Sequence, residues 1–464
     1  MTTRVSDIFR KSGYFIVVII AILLICAGTH VSAENSSGSF TTTGSFGLLS
    51  GSFVTSTTYN KTIIRFLADP SCTSTIRYAN DSSFLVEGTY DHQVRGTLNG
   101  TSHAILLSDL DPATRYHYSV DACGFDGRDR TFVTMPAHGS CTFIVYGDTR
   151  EQAPLYTQVE RHKLVADRIA EEPDIQFVIN SGDLVADSND RSEWIRFLNS
   201  TERLRSVTTY RAVPGNHDSD RALFRGLFGK EGPDYFDCGA ARIVLLDSTD
   251  TSSMTMREQA QWLSKIQKVG GRITIAILHH PVYSSEEKHY GGFEDLQEIL
   301  VPALKVSGVH LVFNSHVHAF EQVKRNSITF ITEGRGGAPA YPLNTTRIPG
   351  SVKTVENTLG YSRVSIDPDA GEIRIEVIRV ADVSPDLQTV TKVYPLDTVD
   401  TKIRIPIRST FGGFTDISEL LCFHRESEGI SRCWNPLIPL NKLPIDISQT
   451  KQSSIDRGSD FMTI

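Results

Sequence analysis

Apolar runs that stop abruptly at short polar blocks constrain this chain more than any other feature. Phe143-Ile144-Val145-Tyr146 ends at Gly147-Asp148, and Phe177-Val178-Ile179 runs into Gly182-Asp183. Later come Gly215-Asn216-His217-Asp218, then His279-His280-Pro281 after residues 273–278, then Ser315-His316-Val317-His318 after residues 309–313. Runs that are apolar at every position suit strands buried on both faces. They alternate with helical patterns, for example Val159, Val165 and Ile169 roughly on one face. The alternation predicts an α/β sheet covered on both sides, in which ligands collect beyond strand ends. The blocks at those ends supply two aspartates, an asparagine and several histidines, the oxygen and imidazole donors that divalent metals take. A Gly-Asp after a strand is by itself an ordinary turn, and a lone His-x-His is commonly surface or core. Joint occurrence in one order and one strand context carries the two-metal reading.

Within that reading Asp183 is the best candidate to bridge two metals, since it sits in the second of two similar strand-end blocks. His316 and His318 alternate along the chain, so both imidazoles fall on one side and each faces a different metal. Residues 363–366 and 373–377 read as antiparallel strands that close the sheet. After residue 395 the pattern weakens to one further strand at 403–407 and a polar tail.

The chain has 464 residues, enough for two or three domains. Its formal net charge of -8, with no basic patch, argues against a nucleic-acid scaffold. Residues 1–33 read as an export signal: Arg4, Arg10 and Lys11 precede an apolar run at 15–26, and Val31-Ser32-Ala33 offers a cleavage site. That run falls short of the roughly 20 residues a membrane span needs. No stable span is expected after cleavage, and the protein is expected outside the cell or at its surface. Residues 34–45 are a Ser/Thr/Gly-rich flexible lead-in. Residues 46–138 show short Thr-rich apolar runs broken by Asn, Asp and Gly, the pattern of a β-sandwich. Residues 139–395 hold the strand-end blocks, and 396–464 form a C-terminal extension. Outside the signal the cysteines are Cys72, Cys123, Cys141, Cys238, Cys422 and Cys433. An even set in an exported chain favours disulfides, and none has the spacing of a cysteine zinc site. Domain logic suggests Cys72–Cys123 and Cys422–Cys433, leaving Cys141–Cys238. Sequons at Asn35, Asn60, Asn80, Asn99, Asn199 and Asn344 are glycan acceptors in such a chain.

The blocks GDTR (147–150), GDLVAD (182–187), GNHD (215–218), HHPVY (279–283) and SHVHAFEQ (315–322) resemble the signature of the calcineurin-like metallophosphoesterases. Residues 110–118, with Tyr116 and Tyr118, resemble the tyrosine-bearing turn of fibronectin type III modules, which points to the purple acid phosphatase branch. The resemblance covers residues 46–395. It implies an N-terminal all-β sandwich, fibronectin type III-like, followed by an α/β four-layer metallophosphoesterase sandwich of two mixed sheets flanked by helices.

The resemblance also implies a ligand set for two divalent ions (Mn, Fe or Zn). Asp148 and His318 bind one ion, Asp183 bridges, and Asn216, His279 and His316 bind the second. Either His279 or His280 could be that ligand, and the His-x-Pro alignment favours His279. His217 matches the substrate-contacting histidine, with Asp218 orienting it, and His289 matches an active-site histidine of the purple branch. Three positions depart from the pattern. Ala186 stands where the branch has the tyrosine that ligates ferric iron, Ser315 replaces a glycine, and Phe320-Glu321-Gln322 replaces Tyr-Glu-Arg. The implied activity is direct hydrolysis of a phosphate monoester, on a small molecule or a phosphorylated substrate, without a covalent phosphoenzyme. His217 or His289 protonates the leaving group or holds the phosphate. Phosphodiester or nucleotide hydrolysis at the same site is one rival. A non-catalytic exported binding protein on a phosphatase scaffold is another, disfavoured because all six ligands are present.

Overall fold

The computed structural model describes residues 48–407 apart from 69–72, 97–101, 123–126, 230–231, 251, 267–271 and 387, and beyond them the strands Cys422–Arg425, Ile430–Cys433 and Ile445–Asp446. The expected signal, the lead-in and the Cys72–Cys123 pair lie outside the described residues. No helix among the described residues is long and apolar enough to cross a membrane.

Before residue 136 the chain alternates inward and outward side chains and builds two antiparallel sheets. One contains Leu48–Val54, Lys61–Ala68 and Ser102–Ser108; the other contains His92–Arg95, Ser74–Asn80, Arg115–Ala122 and Arg130–Val133. Along Ser102–Ser108, His103, Ile105 and Leu107 are buried while the residues between them face water. Ile105 and Leu107 join Ile64, Phe66, Ile76, Tyr118 and Phe132 in one core shared by both sheets. The two sheets therefore form a sandwich.

From Cys141 onward the strands are apolar on both faces, and the reason lies in the layering. Cys141–Tyr146, Phe177–Asn180 and Thr209–Ala212 are parallel neighbours in a mixed sheet completed by Thr358–Asp367, Glu372–Val383 and Val390–Val393. Ala241–Leu245, Ile273–Ile277, Val309–Asn314 and Ile328–Glu333 run parallel in a second mixed sheet, with Asp234–Cys238 and Phe320–Arg325 antiparallel to them and Ser351–Val355 antiparallel to Phe320–Arg325. Phe143 and Val145 point to the centre and meet Ile243, Ile275 and Phe313 of the other sheet. Their neighbours Ile144 and Tyr146 point out and meet Val165, Ile169, Trp194 and Phe197 of the covering helices. Val244, Ala276 and Val312 likewise pack under Leu263, Leu300 and Leu304. The result is four layers, helix–sheet–sheet–helix. The Cys141–Cys238 disulfide links the two sheets.

Two details refine the sequence reading. Val159 is not on the helix that buries Val165 and Ile169; that helix is His162–Ile169, and Val159 is exposed. The Glu160 carboxylate accepts hydrogen bonds from the Thr157 N–H and hydroxyl, which holds the preceding segment as a turn. The sheet also continues past residue 395, because Val399–Pro406 pairs antiparallel with Glu372–Val383. Cys422 and Cys433 are register partners across the pair Cys422–Arg425 and Ile430–Cys433.

The N-terminal sandwich is bonded to the four-layer part. Phe53 packs edge-on against Tyr210 and Phe228, and the Arg205 guanidinium lies over its ring and donates to the Gly51 and Ser52 carbonyls. The Thr57 and Thr209 hydroxyls meet at 2.7 Å.

Candidate metal centre

The parallel strands Cys141–Tyr146, Phe177–Asn180 and Thr209–Ala212 end level with one another, so Asp148, Asp183 and Asn216 emerge on one crest. Ile273–Ile277 and Val309–Asn314 end on the facing sheet and deliver His279, His280, His316 and His318 to the same crest. Three of these residues leave their strands through a left-handed backbone: Asp148 at φ 54°, Asp183 at φ 55° and His316 at φ 70°. The region costs a non-glycine residue on the order of 1 kcal/mol and clusters at functional sites. Gly182, at φ 111°, precedes Asp183, and a Cβ there would strike the His279 ring.

The histidine tautomers follow from the carbonyls they meet. His279 Nδ1 lies 3.0 Å from the Ser181 carbonyl, which can only accept, so Nδ1 carries the proton. The Nε2 lone pair then faces Asn216 Oδ1 at 3.0 Å, Asp183 Oδ1 at 3.3 Å and His316 Nδ1 at 3.2 Å. His316 Nδ1 is itself 2.9 Å from Asn216 Oδ1. His318 Nδ1 donates to the Pro339 carbonyl at 2.5 Å, which turns Nε2 toward Asp148 Oδ1, 3.8 Å away. Electron-pair donors thus converge without enough protons between them.

The electrostatics point the same way. The Asp148 carboxylate is fully buried, and neither oxygen has a hydrogen-bond partner at good geometry among the described residues, the His316 N–H being the nearest donor to influence it. Burial first, and then the charge of Asp183, push its pKa well above the usual carboxylate range. Burial also raises Asp183, and lowers His279, His316 and His318 so that they are neutral. A buried carboxylate without a partner costs several kcal/mol unless a cation meets it. The donor atoms fall into two groups, Asp148–Asp183–His318 and His279–His280–His316, each with its atoms within 4.8 Å of one another. Asp183 Oδ1 also lies 3.3 Å from His279 Nε2 in the other group, so this donor set fits two cations that share Asp183.

His280 also belongs to the second group, and its Nδ1 lies 3.0 Å from the Ser248 hydroxyl. His279 is the one surrounded by Asp183, Asn216 and His316. His217 Nδ1 donates to the Ala186 carbonyl at 2.7 Å, and its Nε2 stands 3.9 Å from Asp183 Oδ2. Asp218 does not orient that ring, contrary to expectation. Its carboxylate accepts the backbone N–H groups of Leu184 and Gly215, tying together the turns that carry Asp183 and Asn216. Burial and the charge of Asp183 push Asp218 up to about 7. The physical reason is distance along the turn: Asp218 folds back under the loop while His217 points out of it. His289 stands at the rim. Glu286 accepts from its ring Nδ1 at 2.7 Å, Phe293 stacks on it, and its Nε2 lies 3.4 Å from His316 Nε2.

The sequence reading assigned no role to Arg150, Tyr341 or Glu286. Arg150 Nε is 4.0 Å from Asp183 Oδ2, and its terminal nitrogen donates to the Tyr341 hydroxyl at 3.2 Å. The Tyr341 ring stacks on His318 at 3.9 Å. Arg150 could have been found from its place two residues after Asp148, and Glu286 from its place three residues before His289; Tyr341 carries no local signal.

Residues 141–320 match the family described as calcineurin-like phosphoesterase. Over 248 residues the chain is 26% identical to purple acid phosphatase 21 of Arabidopsis thaliana, covering 49% of this chain and 54% of that relative. Over 298 residues it is 26% identical to phosphoenolpyruvate phosphatase of Allium cepa, covering 55% and 59%. The chain spans about half the length of the curated relatives it matches. Its fold is similar to that of purple acid phosphatase PPD1 from yellow lupin (TM-score 0.62, 15% identity, 76% of this chain and 74% of that one). It is also similar to that of PhoD (TM-score 0.59, 10% identity, 79% and 95%).

Proposed function

We propose that this chain, whose residues 141–320 form a calcineurin-like phosphoesterase domain, is an exported two-metal phosphatase that hydrolyses phosphate monoesters. The buried, unpartnered Asp148 carboxylate, beside Asp183 and the His318 lone pair, is the observation that carries this reading. Asp148 and His318 would hold one divalent ion, Asp183 would serve both, and Asn216, His279 and His316 would hold the other. When bound, the ions supply the positive charge that acidifies a water to hydroxide near neutral pH and neutralises phosphoryl oxygens.

The protein's own groups orient the substrate. His217, fixed through Nδ1 by the Ala186 carbonyl, presents Nε2 to the phosphate or to the leaving oxygen. His289, fixed by Glu286, presents Nε2 beside His316. Asp218 is a positioning residue that keeps the Asp183 and Asn216 turns in register. Arg150 adds a guanidinium within reach of the same space. Ala186 withdraws the tyrosine that ligates ferric iron in the purple branch, so Mn²⁺, Fe²⁺ or Zn²⁺ suits the site better and the protein is colourless. The N-terminal sandwich is a fibronectin type III-like module.

The test is to purify the mature chain, measure its bound metals, and assay phosphomonoester and phosphodiester panels. Two equivalents of metal with monoester turnover are expected. Diester preference would move the substrate class, and a chain without metal or hydrolysis would overturn the reading.

A further inference from the structure

A cavity of about 250 Å³ opens at the seam between the N-terminal sandwich and the four-layer part, between Lys61–Ala68, Thr209–Ala212 and Phe228-Gly229 at the end of helix Arg221–Phe228. None of the proposed metal-binding side chains lines it. Two arginines do. Arg211 is only 7% exposed, donates one terminal nitrogen to the Thr57 carbonyl at 3.1 Å, and lies 3.7 Å over the Phe236 ring, yet its Nε has no partner. Arg65 is half-buried, and its guanidinium makes no hydrogen bond or ion pair with any described residue. It lies against Gly229, at φ 85°, where a Cβ would collide with it. The buried hydroxyl of Thr55, on the same wall, is also unpartnered.

Two guanidiniums taken partly out of water need a counter-charge, because a desolvated cation without one is costly. Burial alone lowers the Arg65 pKa. Asp234 lies at the cavity and attracts Arg211, but Arg65 has no counter-charge among the described residues. The complement of such donors is a carboxylate or phosphate, whose oxygens match the guanidinium fork. Ile63, Val213 and Phe228 supply apolar wall beyond the charged groups. We propose that this cavity is a second anion site, separate from the metal centre, which takes a small organic phosphate or carboxylate. The head group sits on Arg65, Arg211 and the Thr55 hydroxyl, and the body on Ile63, Val213 and Phe228.

The test titrates the metal-loaded full chain calorimetrically with phenylphosphonate, and separately with benzoate. Phenylphosphonate is expected to occupy two sites. Arg65→Gln removes one of them or weakens it at least tenfold, while phosphate-monoester turnover is unchanged. Thr55→Val, which keeps the side-chain volume, weakens the same site and serves if Arg65→Gln does not fold. Asp148→Asn retains the Arg65-dependent site, so the inference stands or falls apart from the phosphoesterase reading. Benzoate binding that Arg65→Gln abolishes supports the site with a carboxylate head. Phenylphosphonate binding without benzoate binding supports it with a phosphate head. Titrations of Arg65→Gln and Thr55→Val that superimpose on the wild type for both probes would overturn it.

Discussion

The N-terminal sandwich and the candidate metal centre are both built from buried strands, but they treat buried polar groups differently. In the sandwich several such groups find partners, although the Thr55 hydroxyl and Arg65 Nε at the seam do not. The Ser52 and Tyr118 hydroxyls meet at 3.0 Å, those of Thr57 and Thr62 at 2.8 Å, and the Tyr116 hydroxyl accepts the Asp111 N–H at 2.9 Å. At the crest of the four-layer part, a fully buried carboxylate has no partner, imidazole lone pairs face oxygens, and three side chains sit on left-handed backbone. One region meets most of its core hydroxyls with partners of its own; the other gathers buried donor atoms that suit a cation. Local rules are broken where a ligand is meant to complete them.

Breaking the centre should therefore cost activity before stability. Asp183→Asn should abolish metal pairing and lower phosphate-ester turnover by on the order of 10³-fold, checked by metal analysis and initial rates; wild-type turnover would refute the assignment. His217→Ala, which keeps all six proposed ligands, should lower kcat by roughly 10²-fold or more while metal content stays at two equivalents.

Breaking the sandwich should do the reverse. Ile105→Ala removes a buried core side chain and should cost about 2–5 kcal/mol in denaturant unfolding, with turnover per folded molecule preserved.

A pH series sharpens the contrast. Asp218, raised to about 7, contributes stability that is fully present below the unfolded carboxyl value and lost as pH rises through about 7. Asp148 and Asp183, also raised, act in the same direction. Chelated protein should therefore lose stability between about pH 4 and 7 relative to its acid form, a loss that bound metal removes. Denaturant midpoints with and without chelator at pH 5 and pH 7.5 measure it; parallel curves would count against unmet charge at the crest. The smallest effect is expected for Tyr116→Phe, about 1 kcal/mol with no change in turnover, from loss of one hydrogen bond to Asp111 N–H.

Much of the centre was legible before any coordinates, for a local reason. A strand that is apolar at every position is covered on both faces, and a Gly-Asp or His-x-His at its end falls where covered sheets expose their edge. That logic brought the five blocks to one crest, and the family resemblance singled out Asp148, Asp183, Asn216, His279, His316 and His318 within them. The reading that paired Asp218 with His217 failed because neighbours in sequence need not face each other: the Asp218 carboxylate turns under the loop to the Leu184 and Gly215 N–H groups. Tyr341 was illegible because the ring it touches, His318, lies 23 residues away in the chain; Glu286, three residues before His289, was within reach of the sequence reading, which gave it no role.

By itself, then, the sequence determined the strand ends, the donor types and their order along the chain, and it showed the absence of a tyrosine at Ala186. Strand pattern and turn chemistry are set within a few residues, so they can be read there. Only the tertiary structure decided that the Ala186 carbonyl orients His217, that Arg150 reaches Asp183, and that Arg65 and Arg211 share a cavity. Those contacts join segments far apart in the chain. They depend on how two sheets and a sandwich stack, which no local propensity encodes.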